Sequence, residues 1–330
     1  MPVIKLAPMC GITDWVFREI CFACGCECAY TEMVNASGFL CSPENSTIRM
    51  LLQRGHNERR LILQLFGREP EKVSEAAARL AKTGLYDGID LNMGCPAHKI
   101  APSGEGCGLM RTPEIAYRMM SMTVEAVSIP VSVKMRLGWD SESINAVQIA
   151  KLAERAGIRE ITVHGRTRSQ QYSGNADWAA IQAVKQSVNI PVTGNGDIFT
   201  AYDALKRIKR FSLDGVMIAR GALGNPWIFS GIQRLINNKQ PLPVSIEDRA
   251  NMLLKHYDMY LEWKPEKIAV MEMRKHIGWY VHGIRGAAKL RCIINNESSS
   301  DEVKRILTDF FDKAQSESDI KLQNRKEVSF

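Results

Sequence analysis

A chain of 330 residues and 37.0 kDa, 45% hydrophobic and 24% charged, is long enough for one large globular domain with a smaller one beside it, which excludes disorder as its main character. Its formal charge of +7 and pI of about 8.9 permit an acidic partner without demanding one. No apolar run approaches the roughly eighteen residues of a membrane span, and Met1-Pro2-Val3-Ile4-Lys5-Leu6-Ala7-Pro8 lacks the apolar stretch of a signal peptide, so a cytoplasmic protein with no membrane contact is expected.

From the N-terminus onward, short runs rich in Val, Ile and Leu alternate with helical patterns. The runs are 3–6, 28–31, 61–66, 88–91, 131–134, 160–164, 191–194 and 215–218. Repeated βα units around a parallel sheet read this way, and eight of them over about 235 residues predict a (β/α)₈ TIM barrel. Several helix ends are legible: Thr112-Pro113-Glu114 reads as an N-cap with Pro at the first helical position, and Gly84 and Gly157 read as C-terminal stops. Nine cysteines are scattered through the chain. Cys21, Cys24, Cys26 and Cys28 lack the distant second pair of a zinc site, so buried structural thiols and no metal are expected.

Catalytic groups in such barrels sit at the C-terminal ends of the strands. Reading the residue at or just past each run gives Pro8 and Met9, Glu32, Gln64, Asn92 with Cys95, Lys134, His164, Asn195 and Arg220. Barrel interiors are packed with branched aliphatics, so polar residues ending nearly every strand point to chemistry. The last two βα loops, Thr193-Gly194-Asn195-Gly196-Asp197 and Ala219-Arg220-Gly221-Ala222-Leu223-Gly224-Asn225-Pro226, combine small residues with an arginine. They occupy the usual phosphate position of the fold. By contrast, Gly104-Glu105-Gly106-Cys107-Gly108 follows no strand and is not a dinucleotide fingerprint.

Beyond the barrel domain, residues 1–238, a linker rich in Asn and Pro leads to the helix-start signature Ser245-x-x-Asp248. A helical domain spans 239–315, and 316–330 reads as a loose polar tail. Between Lys264 and Arg291 this domain carries Lys264, Lys267, Arg274, Lys275, Arg285, Lys289 and Arg291 against only Glu266 and Glu272, with Trp263, Trp279 and Tyr280 interleaved. Such a pattern fits either a nucleic-acid backbone or a solvated helix face over core aromatics.

A phosphate-bearing cofactor seated at the last two loops would have Lys134 and His164 within reach. For a flavin ring, the lysine ammonium would stabilise the anionic reduced form, and Gln64 would meet the ring's polar edge. Cys95 would face the substrate as a protonated thiol suited to general-acid work, unless His98 and Lys99 lower its pKa toward nucleophilic duty. Cys107 is the rival thiol.

Taken together, Ala7-Pro8-Met9 with Gly11-Ile12-Thr13-Asp14, Asn92-Met93-Gly94-Cys95-Pro96 with Lys99, and Lys134-Met135-Arg136-Leu137-Gly138-Trp139 resemble the tRNA-dihydrouridine synthases. So do Val163-His164-Gly165-Arg166-Thr167-Arg168, Gly194-Asn195-Gly196-Asp197-Ile198 and Arg220 through Phe229, while Arg274-Lys275-His276-Ile277-Gly278-Trp279-Tyr280 is similar to the B-type bacterial members. The resemblance implies an FMN enzyme that uses NADPH to reduce the 5,6 double bond of particular uridines in tRNA. It implies flavin contacts at Pro8, Met9, Cys10, Gln64, Lys134, His164, Asn195, Gly196, Asp197, Ala219 and Arg220, although many relatives carry Gly where Ala219 stands. It implies Cys95 as proton donor to C5 and Asn92 as a base-orienting group; Lys99, Arg166 and Arg168 are the candidate RNA contacts, and a monomer is expected. Two other readings share some of these features: an FMN barrel acting on a small pyrimidine such as dihydroorotate, and a non-catalytic tRNA-binding protein.

Overall fold

The computed structural model describes residues 1–98 and 100–327. They form two compact units, one of Met1–Ala222 with Ile228–Gln240, the other of Leu223–Trp227 with the chain from Pro241 onward. A five-residue stretch after the last strand thus belongs to the second unit, which a single boundary at residue 238 does not anticipate.

Among the described residues the first unit holds nine strands: β1 (Val3–Leu6), β2 (Ala29–Tyr30), β3 (Val34–Asn35), β4 (Leu61–Phe66), β5 (Gly88–Met93), β6 (Val131–Met135), β7 (Glu160–His164), β8 (Val192–Asn195) and β9 (Gly215–Ile218). All pairings are parallel, in the order β1-β9-β8-β7-β6-β5-β4-β2. The ring is closed by a single bridge, Lys5 to Cys28, flanked by Leu6 N–H donating to the Cys28 carbonyl at 2.9 Å and Glu27 N–H to that of Ile4 at 3.1 Å. This is the expected TIM barrel. The addition is β3, two residues that prolong the sheet beside the end of β4.

Helices α1 (Trp15–Ala23), α2 (Ala36–Cys41), α3 (Ser46–Leu51), α4 (Pro70–Ala81), α5 (Pro113–Ala126), α6 (Ala146–Arg155), α7 (Trp178–Ser187), α8 (Ala201–Phe211) and α9 (Ile228–Ile236) belong to this unit. Asp14 caps α1 through Phe17 N–H at 3.0 Å, and Gly84 and Gly157 follow α4 and α6 with φ of +69° and +85°. Thr112 precedes α5 but does not cap it; its hydroxyl instead donates back to the Leu109 carbonyl at 3.4 Å. Cys21, Cys24, Cys26 and Cys28 are all buried, as expected of structural thiols.

Strand alternation assigns the barrel interior. Lys5, Gln64, Asp90, Ser132, Lys134, Glu160, Thr193 and Asn195 share one face of their strands and bond to one another across it. Here the expectation of an aliphatic interior needs correction. The Leu, Ile and Val residues of β4 to β6 mostly face the helices, and the ring encloses a polar layer with an ion pair, Lys5–Glu160, to which the Thr193 hydroxyl donates at 2.6 Å. Ala7, Cys28, Tyr30, Ile62 and Met217 supply an apolar cluster beside it.

The second unit contains α10 (Ile246–Trp263), α11 (Glu266–Tyr280), α12 (Ala287–Asn296) and α13 (Ser300–Glu327). Ser245 and Asp248 form the predicted capping box. Residues 316–327, expected as a loose tail, continue the α13 backbone. The stretch from Ser316 to Glu327 contains neither Gly nor Pro, so nothing in it breaks a helix once begun.

Candidate active site

β5 ends at Met93, and the next two residues begin the loop that carries the thiol. Asn92 Oδ1 accepts from the backbone N–H groups of Gly94 at 3.1 Å and Cys95 at 2.9 Å, so one side chain sets the first turn of the loop. Just past β6, Arg136 Nε donates to the Gly94 carbonyl at 2.8 Å. Gly106 faces Cys95 with φ of +55°, and a Cβ there would lie 3.0 Å from that of Cys95. Glycine is therefore what lets the second loop segment close on the first.

Cys95 is half-buried. Burial pushes its thiol above the ordinary range, and the Ala97 N–H, Arg136 and Lys134 pull it back only in part. The group is a protonated thiol at neutral pH. His98 does not oppose this: it is exposed and lies 3.5 Å from Arg168 Nη2 and 3.2 Å from Gln171 Nε2. Lys99 lies outside the described residues. Cys107 is fully buried, its sulfur 3.9 Å from Met110 Sδ and 3.7 Å from the Gly138 carbonyl, and burial pushes its thiol up to about 12. It is a core residue rather than a second acid.

Behind the loop, Gln64 and Asp90 are buried together. Gln64 Nε2 donates to Asp90 Oδ2 at 2.7 Å and its Oε1 accepts from Asn92 Nδ2 at 2.9 Å, while the Ser132 hydroxyl donates to Asp90 Oδ1 at 2.6 Å. Burial raises the Asp90 carboxyl to about 6, the Ser132 and Gln64 hydrogen bonds and the Lys134 charge opposing it. Asp90 lies three residues before the end of β5, so reading the residues at or past each strand end does not reach it.

Lys134, on β6, reaches Asn195 Oδ1 on β8 at 3.3 Å, and Asn195 Nδ2 donates to the Met217 carbonyl at 2.8 Å. Burial, helped by Arg136, lowers the Lys134 ammonium to about 8, with Asp90 and Cys95 acting against the fall. His164 is held well below its usual range by burial and by Lys134, Arg136, Arg166 and Arg220, so it is neutral.

Arg166 requires a correction. It is 1% exposed, and its guanidinium is committed inside the protein, to Asp197, to the carbonyls of Ser173 and Gly174, and to His164 at 3.3 Å. A residue so enclosed does not reach an RNA surface. Arg168 is half-buried, with its guanidinium 4.6 Å from the centre of the Trp139 ring.

Asp197, with φ of +46°, also accepts from Arg220 Nη2 at 3.1 Å and Ala176 N–H at 2.7 Å. The glycines of these loops have a packing reason. A Cβ at Gly196 would lie 2.6 Å from that of Ala176, and one at Gly221 would lie 2.1 Å from the Ile198 carbonyl oxygen. Ala219 is half-buried on the cluster that includes Ala7. Pro8 and Met9 are half-buried and Cys10 is exposed, and Met9 N–H is turned onto Thr13 Oγ1 at 2.8 Å.

Two further rim residues escaped the sequence. Arg136 bonds the carbonyls of Thr167 and Gln171, each at 2.8 Å, and its spacing of two from Lys134 was the available signal. Tyr172 is 58% exposed, its ring near the Arg136 and Arg220 guanidiniums at 5.6 and 5.4 Å, and nothing in its loop sequence announces it. Among the described rim residues, the cations Lys134, Arg136, Arg166 and Arg220 outnumber the carboxylates Glu32 and Asp197. The donor set suits an anionic, ring-bearing group.

In the second unit the basic cluster divides. The Lys264 side chain is 8% exposed, paired with Glu272 and 4.0 Å from the Trp263 ring centre, and Arg274 bonds the Glu297 carbonyl at 2.9 Å. These two are structural. Lys267, Arg285, Lys289 and Arg291 are exposed.

With this geometry, comparison with known proteins is informative. The family model described as Dihydrouridine synthase (Dus) matches residues 5–315. A protein of Rickettsia conorii named a probable tRNA-dihydrouridine synthase is 39% identical over 309 residues, covering 93% of both chains. The tRNA-dihydrouridine synthase B of Pseudomonas aeruginosa is 38% identical over 307 residues, covering 93% of this chain and 92% of its own. Among solved structures, histamine dehydrogenase from Rhizobium sp. 4-9 superposes with a TM-score of 0.53 at 13% identity, over 78% of this chain and 49% of that one. The chain thus spans about half of that protein, and the likeness is one of barrel fold.

Proposed function

Because the chain belongs to the dihydrouridine synthase family, we propose that it is an FMN-dependent enzyme that reduces the 5,6 double bond of specific uridines in tRNA with NADPH. The observation that carries this reading is the half-buried thiol of Cys95 at the barrel rim, on a turn that Asn92 and Arg136 hold in place.

Lys134, His164, Asn195, Gln64 and Arg220 form the donor set that would hold FMN, with Pro8, Met9, Cys10, Gly196, Asp197 and Ala219 lining the same rim. FMN held there and reduced by NADPH would supply hydride chemistry for addition at uracil C6. Cys95 donates the proton to C5 from the opposite face; burial keeps that proton in place until C5 gains electron density. Neutral His164 offers a hydrogen bond without adding another cation. Lys134, still cationic below about pH 8, places positive charge where a reduced ring develops negative charge. Asn92 keeps the turn that aims the thiol, and the uridine must leave its stack to reach it. Exposed Lys267, Lys289 and Arg291 supply phosphate contacts for tRNA. No helix among the described residues is long and apolar enough to cross a membrane, and we place the reaction in the cytoplasm.

The test is NADPH oxidation with unmodified tRNA, followed by mapping of dihydrouridine. Turnover that needs tRNA and leaves dihydrouridine at defined positions is the expected result. Turnover of free uridine or orotate with none on tRNA would refute the reading.

A further inference from the structure

We propose that Asp90 is a positioning residue for Cys95, acting through Gln64 and Asn92 by dictating which end of each side-chain amide faces which neighbour. Asp90 is 0% exposed, and its carboxylate receives Gln64 and Ser132. An apolar residue would fill its place in the barrel without the cost of burying a carboxylate. What Asp90 supplies is direction. An ionised carboxylate only accepts hydrogen bonds, so Gln64 must turn its NH₂ inward to it, at 2.7 Å. The Gln64 oxygen is then left facing Asn92, whose NH₂ turns to it at 2.9 Å. Asn92 Oδ1 is thereby committed to the other side, where it receives the Gly94 and Cys95 N–H groups at 3.1 and 2.9 Å. Were Gln64 reversed, Asn92 would reverse with it and present its own N–H groups to two backbone donors, and the turn carrying Cys95 would lose its anchor. Ser132 completes the arrangement by donating to the remaining Asp90 oxygen at 2.6 Å. That this orientation matters for protonating uracil C5 rests on the function proposed above; the hydrogen-bond chain itself does not.

The test measures the loop without the reaction. Purified chain, free of tRNA and reductant, is treated with iodoacetamide, and alkylation is followed peptide by peptide. Asp90→Leu keeps the branched shape, though with bulkier methyls, and removes the acceptor; Cys95 should then alkylate about tenfold faster, as the loss of one or two buried hydrogen bonds would allow, while exposed Cys41 and Cys292 are unchanged. Asp90→Asn still offers Gln64 an oxygen, because the Ser132 hydroxyl can turn to accept the new NH₂; its Cys95 rate should stay within about threefold of the parent. A Cys95 rate unchanged in Asp90→Leu, or an Asn variant as fast as the Leu variant, overturns the proposal. If Asp90→Leu does not fold, which alkylation of buried Cys21 would reveal, Gln64→Leu cuts the same chain one link later. The same rise is then expected, and its absence is equally fatal. Dihydrouridine formation has no part in this readout, so a parent chain that fails to reduce uridine counts against the function alone.

Discussion

One nitrogen of Arg166, Nη2, donates to both carboxylate oxygens of Asp197, at 2.9 and 2.7 Å, and the same carboxylate receives Arg220 from the next loop. The loops after β7, β8 and β9 are therefore tied at a single point, and the tie is enclosed on the Arg166 side.

Removing Arg166 leaves Asp197 short of its buried partner and frees two loop carbonyls. We expect Arg166→Ala to destabilise the chain by about 3 kcal/mol or more, and Arg166→Lys to recover little of this because an ammonium cannot reproduce the fork. Urea unfolding followed by fluorescence measures both, and a loss below about 1 kcal/mol would contradict the role.

Cys95→Ala should retain FMN and the oxidation of NADPH by dioxygen while losing uridine reduction. Cys107→Ala should do the reverse, costing about 1–2 kcal/mol of stability for a small core cavity yet leaving uridine reduction in place. Flavin absorbance, NADPH consumption and dihydrouridine mapping on the two variants separate the thiols.

The Lys134 ammonium, lowered to about 8, is charged below that pH and neutral above it. FMN binding that relies on this cation should weaken as pH rises through about 8, and the bound anion will itself move the midpoint upward. In Lys134→Arg the decline should disappear, since a guanidinium keeps its charge. Fluorescence titration of FMN between pH 7 and 10 supplies the curves.

In the second unit, His256 and His276 are buried with their rings 4.5 Å apart, burial holding His256 down to about 3 and His276 well below its usual range. Both folded values lie below the unfolded one, so the unfolded chain takes up protons first as pH falls. Stability is complete above about pH 6.5 and declines below it, each histidine contributing up to about 1.4 kcal/mol per pH unit. Chemical unfolding between pH 7.5 and 5 should show this slope, and His256→Phe should reduce it.

For tRNA, Lys289→Gln and Arg291→Gln should each weaken binding without moving the modified position, and each should lower the salt dependence by about one phosphate contact. Lys264→Gln should instead act on stability, because its ammonium is occupied by Glu272 and Trp263. Filter binding across a salt series distinguishes the two behaviours.

The barrel was legible because short apolar runs and helix stops are local signals; all eight expected runs overlap strands. β3 was not, since two residues carry no periodicity. The rim was legible where a polar residue ends an apolar run, as at Lys134 and His164. Arg166 was misread because a charged residue after a strand looks exposed, and only its partner thirty-one residues later shows otherwise. Asp90 and Lys5 were passed over for a related reason: a polar residue inside a strand reads as an interruption until neighbouring strands supply its partners. The basic stretch of the second unit divided because charge counts do not reveal which amines lie on aromatic rings.

The ring joins at the bridge between Lys5 and Cys28, and on its other side β1 pairs with β9, Val3 beside Gly215. The first strand of the barrel is thus partnered mainly by its last. Until the whole of β9 has emerged, β1 has only its thin bond to β2, and its lysine waits for Glu160 and Thr193 to be made. Completion of the barrel is a late event of synthesis, and the growing chain must carry an unsatisfied first strand through most of its own translation.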